Sequence, residues 1–250
     1  MAEMRRARLI TIQFSHYCDK ARWGLKRAKI EFDEEAHVPM LSWAATLGSG
    51  ATRTAPALVT GDKVLADSTD ILRHADAHGS ADPLFPPGND DAARLEDRFD
   101  RVLGPATRRC AYDLVLRMPT SLVGELLGSG APAWERAIAR AAPGVFITML
   151  RRGLRIVPEH VARSRNAVET VFDEVATLLG DDRPYLTGDR FTAADLTFAA
   201  LAAPMVYPDA YANTALPLDR LSDDVRASVD AHRATPAGQF AMRLYARDRG

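Results

Sequence analysis

The sequence predicts a small α/β domain followed by an all-α domain. Short apolar strands alternate with helix-period segments in the first 80 residues, a stretch rich in proline and glycine follows at 79–91, and no convincing strand pattern comes after it. We assign residues 1–80 to the first domain, 81–89 to a linker and 90–250 to the second domain. A chain of 250 residues provides ample core for this arrangement.

The first strand and the first helix meet at Ser15. Residues 9–13 carry β-favouring side chains, whereas the apolar residues from Cys18 onward recur with the period of a helix that we place at 17–29. Ser15 therefore lies at or just before a helix N-terminus, where unpaired N–H groups and the helix dipole favour an anion. Two roles fit its hydroxyl: stabilising a bound thiolate, or only capping the helix, and the local sequence alone favours the cap.

The two cysteines, Cys18 and Cys110, are too few for a disulfide framework and fit a reducing compartment. Cys18 is either a redox thiol at a helix start or a buried small apolar residue. We favour burial, because Cys18 shares its helical stripe with Ala21 and Leu25. A CxxC disulfide cycle is excluded, because Ser15 occupies the leading position.

The remainder of the first domain is predicted to contain a strand, a short helix, a hairpin of two strands and a closing helix, at residues 31–38, 40–47, 57–59, 63–65 and 68–78. Residues 60–62 form the tight hairpin turn. Pro56 precedes a buried strand, so it lies at a strand start or edge. If its peptide bond is cis, the backbone of Ala55 stays available to an extended peptide-like ligand; the alternative is an ordinary trans turn proline.

Asp67 and Ser68 open the closing helix, with Ser68 as the expected N-cap. A carboxylate beside a hydroxyl and unpaired N–H groups can also hold the zwitterionic end of an amino acid. Asp67 would then bind the ammonium group, and Ser68 with its N–H would bind the carboxylate. A plain N-cap is the alternative.

Seven helices are predicted in the second domain, at residues 92–103, 112–127, 132–142, 145–154, 159–179, 193–206 and 222–232. Gly104-Pro105 is expected to end the first of these helices and separate it from the second. Thr192 and Asp195 form a capping box, with Asp in place of the usual Glu.

Charge and composition exclude several classes of function. The net charge of −1 gives no electrostatic basis for nucleic-acid binding. Mid-chain arginines are interpreted as solvated helix faces; they are Arg108, Arg109, Arg151, Arg152, Arg155, Arg163 and Arg165. The N-terminus lacks a signal-peptide pattern and no apolar run is long enough to span a membrane, so we expect a cytoplasmic protein. His74 and His78 have a zinc-helix spacing, but Ala75 replaces the glutamate and no third ligand is evident, so we expect no metal site.

The order of these features resembles the cytosolic glutathione transferase family. The resemblance covers essentially the whole chain and is clearest in FSHYCDKARWGL, TAPALV, DSTDIL and FTAADLTFAAL. It implies a thioredoxin-like α/β N-terminal domain, an all-α helical bundle domain and a homodimer. It also implies an enzyme that conjugates the thiolate of glutathione, as co-substrate, to a small apolar electrophile in detoxification.

The resemblance implies a role for each matching residue. Ser15 matches the hydroxyl that activates the glutathione sulfur in serine-type members. Ala55, ahead of Pro56, matches the residue whose backbone pairs with the cysteinyl unit, and Asp67 with Ser68 matches the pair that grips the γ-glutamyl end. The family's capping box supports folding of the helical domain, so we interpret that motif as structural.

The sequence also departs from the family. His16 stands where proline often follows the serine, and it either steers charge near the sulfur or is simply exposed. The loop at 48–53 lacks the usual asparagine-proline pattern, which leaves Arg53 and His37 as candidates for the glycyl carboxylate. These departures motivate two alternatives: a non-catalytic glutathione-transferase-like binding or scaffold protein, and, less favoured, a thiol–disulfide or deglutathionylating enzyme that uses Cys18.

Candidate wall residues for the electrophile, each of them also readable as plain core, are Tyr112, Phe146, Met149 and Tyr207.

Overall fold

The computed structural model of the chain describes residues 6–61, 63–181 and 183–249. An α/β unit comes first, in the predicted order of elements. Its strands are β1 (Ala7–Thr11), β2 (Phe32–Ala36), β3 (Ala57–Thr60) and β4 (Lys63–Leu65). Its helices are α1 (His16–Arg27), α2 (Ser42–Gly48) and α3 (Ser68–His78). Position 62 of the predicted hairpin turn lies outside the described residues.

The four strands form one sheet in the order β2-β1-β3-β4. β1 pairs parallel with β2 and antiparallel with β3, and β3 pairs antiparallel with β4. Leu9 and Leu58 are paired across β1 and β3, and both are fully buried beneath α1 and α3. The two helices approach closely at Gly24, where a Cβ atom would collide with the side chain of Leu72. This sheet with its packed helices is the thioredoxin-like fold that the resemblance implies.

The second unit is helical. Its helices are α4 (Asp90–Arg98), α5 (Gly104–Val115), α6 (Thr120–Leu127), α7 (Ala133–Ala141), α8 (Pro143–Gly153), α9 (Pro158–Leu178), α10 (Ala193–Val206), α11 (Asp209–Ala212), α12 (Asp223–Arg233) and α13 (Pro236–Arg247). Every residue of α10 is buried, so this helix forms the centre of the bundle. None of the helices within the described part of the chain is long and apolar enough to cross a membrane.

Two predicted helix boundaries are wrong. The chain stays helical through Gly104 and Pro105, because α4 runs into a π-helical turn at Phe99–Leu103 and then directly into α5. Pro105 lies at the junction between the π-helical turn and α5, so the N–H that it lacks falls where the hydrogen-bonding pattern changes. The helix predicted at 112–127 is instead interrupted after Val115, and Pro119 precedes the start of α6.

The last helix, α13, was not predicted. The sequence at its start is typical of a helix N-terminus, because Thr235 is the N-cap and Pro236 follows it. The Thr235 hydroxyl accepts a hydrogen bond from the N–H of Gly238 at 3.0 Å. α13 contacts α1 through Tyr245, whose hydroxyl donates to a carboxylate oxygen of Asp19 at 2.5 Å. The end of the chain thus packs against the helix that opens the α/β unit.

The predicted capping box is present at the start of α10. One carboxylate oxygen of Asp195 accepts from the N–H and the hydroxyl of Thr192, at 2.8 and 2.9 Å. The other accepts from the N–H of Leu186 at 2.8 Å. Burial raises the pKa of Asp195 to about 6, against the lowering effect of these hydrogen bonds. The box therefore fixes both the start of the central helix and the loop before it.

Candidate functional site

A cleft with a volume of about 270 Å³ opens between the α/β unit and the helical unit. One wall consists of the β1–α1 turn, the start of α2 and the segment before β3. The opposite wall is provided by α5, the end of α8 and the segments that follow α10. The wall formed by the α/β unit therefore presents polar and backbone groups, and the wall formed by the helical unit is mainly apolar.

Ser15 lies in this cleft at the N-terminus of α1. It is the N-cap residue, with extended backbone, and its hydroxyl oxygen accepts from the N–H of Cys18 at 3.5 Å. That distance is at the long end for a hydrogen bond, so the interaction is weak. No acceptor for the hydroxyl proton is found among the described residues. The cap therefore uses the oxygen of the Ser15 hydroxyl and leaves its proton unused among the described residues.

Cys18 is fully buried, as expected. Burial is the main cause that raises the pKa of its thiol, which disfavours the thiolate. Its sulfur accepts from the N–H of Ile12 at 3.4 Å and supports the turn that holds Ser15. The structure therefore gives no support to chemistry at Cys18.

His16 is buried rather than exposed. Its Nε2 atom lies 3.0 Å from the carbonyl oxygen of Gly104. Burial, helped by the charge of Arg108, lowers the pKa of His16 to about 3, so the ring is neutral near pH 7. A neutral ring adds no charge beside Ser15, and its visible role is to join α1 to α5.

Ala55 lines the cleft and Pro56 is buried behind it. The peptide bond between them is cis. No hydrogen bond within the described chain uses the N–H or the carbonyl oxygen of Ala55. An extended ligand in the cleft therefore finds both backbone groups available.

Asp67 and Ser68 differ in exposure. Ser68 was the expected N-cap of α3, but the N-cap is Asp67. The Asp67 carboxylate accepts from the N–H of Thr69 at 2.7 Å. Ser68 is the first residue of the helix and is buried, and its hydroxyl points to a carboxylate oxygen of Asp100 at 3.5 Å. Neither lines the enclosed part of the cleft. Asp100 connects Ser68 to the first turn of α1, because its carbonyl oxygen accepts from the Tyr17 hydroxyl at 3.0 Å.

Of the two candidates for the glycyl carboxylate, only Arg53 lines the cleft. Its guanidinium carbon lies 5.5 Å from the centre of the Trp43 ring. His37 is buried, and its two ring nitrogens contact Glu135 at 2.6 Å and Glu35 at 3.0 Å. Both ring nitrogens of His37 are thus engaged by carboxylates of the protein.

The prediction for the mid-chain arginines is wrong at Arg108 and Arg109, which are both half-buried. Arg108 lines the cleft and Arg109 is bonded within the helical unit, whereas Arg151, Arg152 and Arg163 are exposed as expected. Ala111 and Tyr112 lie on the same face of α5 and also line the cleft. The spacing from Arg108 to these two residues, three and four positions, is the pattern that identifies Arg108 with the cleft. Sequence reasoning missed it by grouping all the arginines together.

The candidate wall residues divide into two pairs. Tyr112 and Tyr207 line the cleft, where apolar side chains of α5 and α8 surround them. Phe146 is buried outside the cleft, and Met149 is exposed on the surface of α8. A further tyrosine, Tyr211, lines the cleft and donates to the carbonyl oxygen of Phe14 at 2.9 Å.

Two family models match the chain. They are described as glutathione S-transferase N-terminal domain, over residues 9–83, and glutathione S-transferase C-terminal domain, over residues 158–231. No curated protein matches.

Similar solved structures include three glutathione transferases. The one from Phanerochaete chrysosporium has a TM-score of 0.63 at 18% identity, with coverage of 98% of this chain and 97% of that chain. One from Methylobacterium radiotolerans, in complex with glutathione sulfonate, has a TM-score of 0.56 at 20% identity, covering 95% and 94%. One from Methylobacillus flagellatus, with glutathione bound, has a TM-score of 0.54 at 14% identity, covering 94% and 98%. At these identities the likeness concerns the fold.

Proposed function

Because the chain belongs to the glutathione transferase family, we propose that it binds glutathione in the cleft between its two units and joins the glutathione thiolate to a small apolar electrophile. The observation that carries this proposal is the position of Ser15. Its hydroxyl, with a proton to donate, stands at the N-terminus of α1 and opens onto a cleft with an apolar far wall.

In this proposal Ser15 donates a hydrogen bond to the glutathione sulfur. The unpaired N–H groups at the start of α1 add positive potential, and both effects lower the pKa of the thiol. The thiol proton passes to solvent, the thiolate attacks the electrophilic carbon, and a carbon–sulfur bond forms as the leaving group departs with its electron pair. The apolar walls limit the water that would otherwise solvate the thiolate.

The backbone of Ala55 binds the rest of the tripeptide. Its available N–H and C=O pair with the cysteinyl unit, and Pro56 completes the edge. Asp67 takes the γ-glutamyl ammonium, and the N-terminus of α3, with Ser68, faces the γ-glutamyl carboxylate. Arg53 is the cation on this side of the cleft for the glycyl carboxylate.

Titration calorimetry with glutathione tests the binding site. We expect the wild type to bind with a dissociation constant between micromolar and millimolar. Asp67→Ala should abolish this binding. Asp67→Asn keeps an oxygen that can cap α3 but loses the charge, so weaker binding by Asp67→Asn would separate recognition from folding. Asp70→Asn is the matched control, because Asp70 is an exposed acidic residue in the same helical turn. Failure of the wild type to bind at several millimolar glutathione would refute the proposal.

One observation favours the non-catalytic alternative. Ser15 is the N-cap of α1, a structural role that accounts for a serine at this position without any catalysis. A protein that binds glutathione without lowering the pKa of its thiol, and that conjugates no electrophile, would be a binding protein. The ultraviolet absorbance of the thiolate in the bound state, followed against pH, distinguishes the two functions.

The family also implies a homodimer in the cytoplasm, and we adopt both statements as part of the proposal. Sedimentation equilibrium of the purified chain tests the first, and cell fractionation tests the second.

A further inference from the structure

Arg108 stands on the apolar side of the cleft, and the described residues provide no counter-ion for it. Its guanidinium carbon lies 5.9 Å from the centre of the Tyr17 ring, next to the turn that carries Ser15. It is half-buried, and no hydrogen bond or ion pair joins it to any residue that the structure describes. The positive charge of Arg108 nevertheless acts on the site, because it helps to lower the pKa of the buried His16 ring.

Neighbouring arginines of the helical unit are engaged. Arg109, the next residue of α5, donates to the carbonyl oxygen of Leu154 at 3.0 Å and to the hydroxyl of Ser164 at 2.7 Å. Arg117 forms an ion pair with Asp113 at 2.7 Å. Hydrogen bonds and an ion pair within the fold thus engage Arg109 and Arg117. The five N–H donors of the Arg108 guanidinium remain for a ligand or for water.

No Asp or Glu is among the described residues that line the cleft. The cleft has two cations, Arg53 and Arg108, on opposite walls. Arg53 precedes β3 on the side that we assign to glutathione, whereas Arg108 belongs to α5 and faces the space for the second substrate. A guanidinium that is partly removed from water gains most from a planar anion that accepts two parallel hydrogen bonds.

The helical unit also contributes apolar and aromatic residues to the lining of the cleft. They include Tyr112, Val115, Leu150, Leu154 and Tyr207. A ligand that is complementary to this wall has an apolar body, and a ligand that pairs with Arg108 has one oxyanion. The two requirements describe a single amphipathic molecule.

We propose that the second substrate is an electrophile with an apolar, aryl-sized body and one carboxylate or similar oxyanion, and that Arg108 binds this anionic group. The inference rests on the proposed function, because it assigns the substrate class of the same cleft. Arg108 is then a specificity-determining residue. It selects acidic electrophiles over neutral ones of equal shape and leaves the bonds to glutathione unchanged.

Two glutathione conjugates test the inference without requiring turnover. They are S-(4-carboxy-2-nitrophenyl)glutathione and its uncharged counterpart S-(4-carbamoyl-2-nitrophenyl)glutathione, which differ in one charge at nearly equal size. Calorimetry at pH 7.5 gives the dissociation constants of both conjugates and of glutathione. The variants are Arg108→Met, Arg108→Lys and, as a control, Arg163→Met, since Arg163 is exposed on α9 away from the cleft.

We expect the wild type and Arg163→Met to bind the carboxylate conjugate about 10- to 100-fold more tightly than the amide conjugate, the range for one charge-assisted contact. Arg108→Met should remove this preference and leave the affinities for glutathione and for the amide conjugate nearly unchanged. Arg108→Lys, which keeps the charge without the planar fork, should restore part of the preference.

Two results would overturn the inference. One is equal binding of the two conjugates by the wild type. The other is an equal loss of affinity for glutathione and both conjugates in Arg108→Met, which would place Arg108 on the glutathione side. Failure of the wild type to bind glutathione at all is a different result, because it refutes the proposed function and removes the inference with it.

Discussion

The Nε2 atom of His16 lies 3.0 Å from the carbonyl oxygen of Gly104, and this contact joins the first turn of α1 to the first turn of α5. A carbonyl oxygen only accepts hydrogen bonds, so Nε2 carries the proton and donates it. The same turn of α1 follows Ser15, and the same helix α5 carries Arg108. One buried, neutral histidine is thereby among the contacts that hold the two sides of the cleft together.

We expect acid to destabilise the protein through His16. Burial lowers its pKa in the folded state to about 3, whereas the unfolded chain has the ordinary value near 6.5. Between these values the unfolded state binds more protons, so the stabilisation is complete above pH 6.5 and is lost progressively as the pH falls toward 3. At pH 5 the loss is about 2 kcal/mol.

Urea unfolding of the wild type and of His16→Gln at pH 7.5, 6 and 5 measures this effect. Gln has a similarly placed N–H donor and no titration in this range. The stability of the wild type relative to His16→Gln should therefore decline with falling pH. A difference between the two proteins that stays constant over this range would contradict the prediction.

Ser15→Ala should slow conjugation by about 10- to 100-fold and raise the pKa of the bound glutathione thiol by about one to two. Both figures correspond to the loss of a hydrogen bond to a charged group, on the order of 1.5–3 kcal/mol. Stopped-flow absorbance of the thiolate and steady-state rates with 1-chloro-2,4-dinitrobenzene provide the measurements.

Ser15→Thr is the control, because it keeps both the hydroxyl and the capping oxygen. It should retain the low thiol pKa that Ser15→Ala loses. Unchanged turnover and an unchanged thiol pKa in Ser15→Ala would show that this hydroxyl has no part in activating the sulfur.

Gly104→Ala should destabilise the contact between the two units by about 1–3 kcal/mol through overpacking. An added Cβ would collide with the phenol end of Tyr17 and would also press on Leu201. The second substitution Tyr17→Phe removes the colliding hydroxyl, so the double variant should lose less than the sum of the two single changes. Strict additivity of the unfolding free energies would mean that the Tyr17 hydroxyl takes no part in the clash.

Much of the fold follows from local sequence patterns. The bounds of α10 agree with the prediction, because an apolar run begins at a capping box and both signals act within a few residues. The order of strands and helices around Ser15 and Pro56 was likewise readable, since alternation and helical period change at those residues.

The errors share a different cause. Asp67 and Ser68 are both good capping residues, and only the backbone conformation, extended at Asp67, decides which of them is the N-cap. Gly104-Pro105 reads as a helix break, but packing against Tyr17 and the π-helical turn carry the helix through it. Arg108 and Arg109 are chemically identical neighbours, and their different environments depend on how α5 is rotated in the bundle. Sequence periodicity does not contain the backbone conformation at Asp67 or the tertiary contacts around Gly104. It does contain a signal for Arg108, in its spacing from Ala111 and Tyr112.

The buried cation Lys20 leads to the last prediction. Its ammonium group, with no exposed side-chain surface, lies 2.6 Å from a carboxylate oxygen of Glu96 and 2.6 Å from one of Asp100. The Thr69 hydroxyl accepts from the same group at 3.0 Å. Lys20→Met should cost about 3–5 kcal/mol of unfolding free energy, since it leaves the carboxylate of Glu96 buried without a cation.

The double variant Lys20→Met with Glu96→Met separates the charge from the packing. It removes the uncompensated carboxylate, and the remaining partner, Asp100, keeps partial access to solvent. Replacing a buried ion pair with apolar residues is often nearly neutral, so the double variant should regain most of the stability. Urea unfolding at pH 7.5 measures both proteins. If the double variant were as unstable as Lys20→Met alone, the loss would come from the side-chain volume at position 20, and the proposed cost of the buried charge would be wrong.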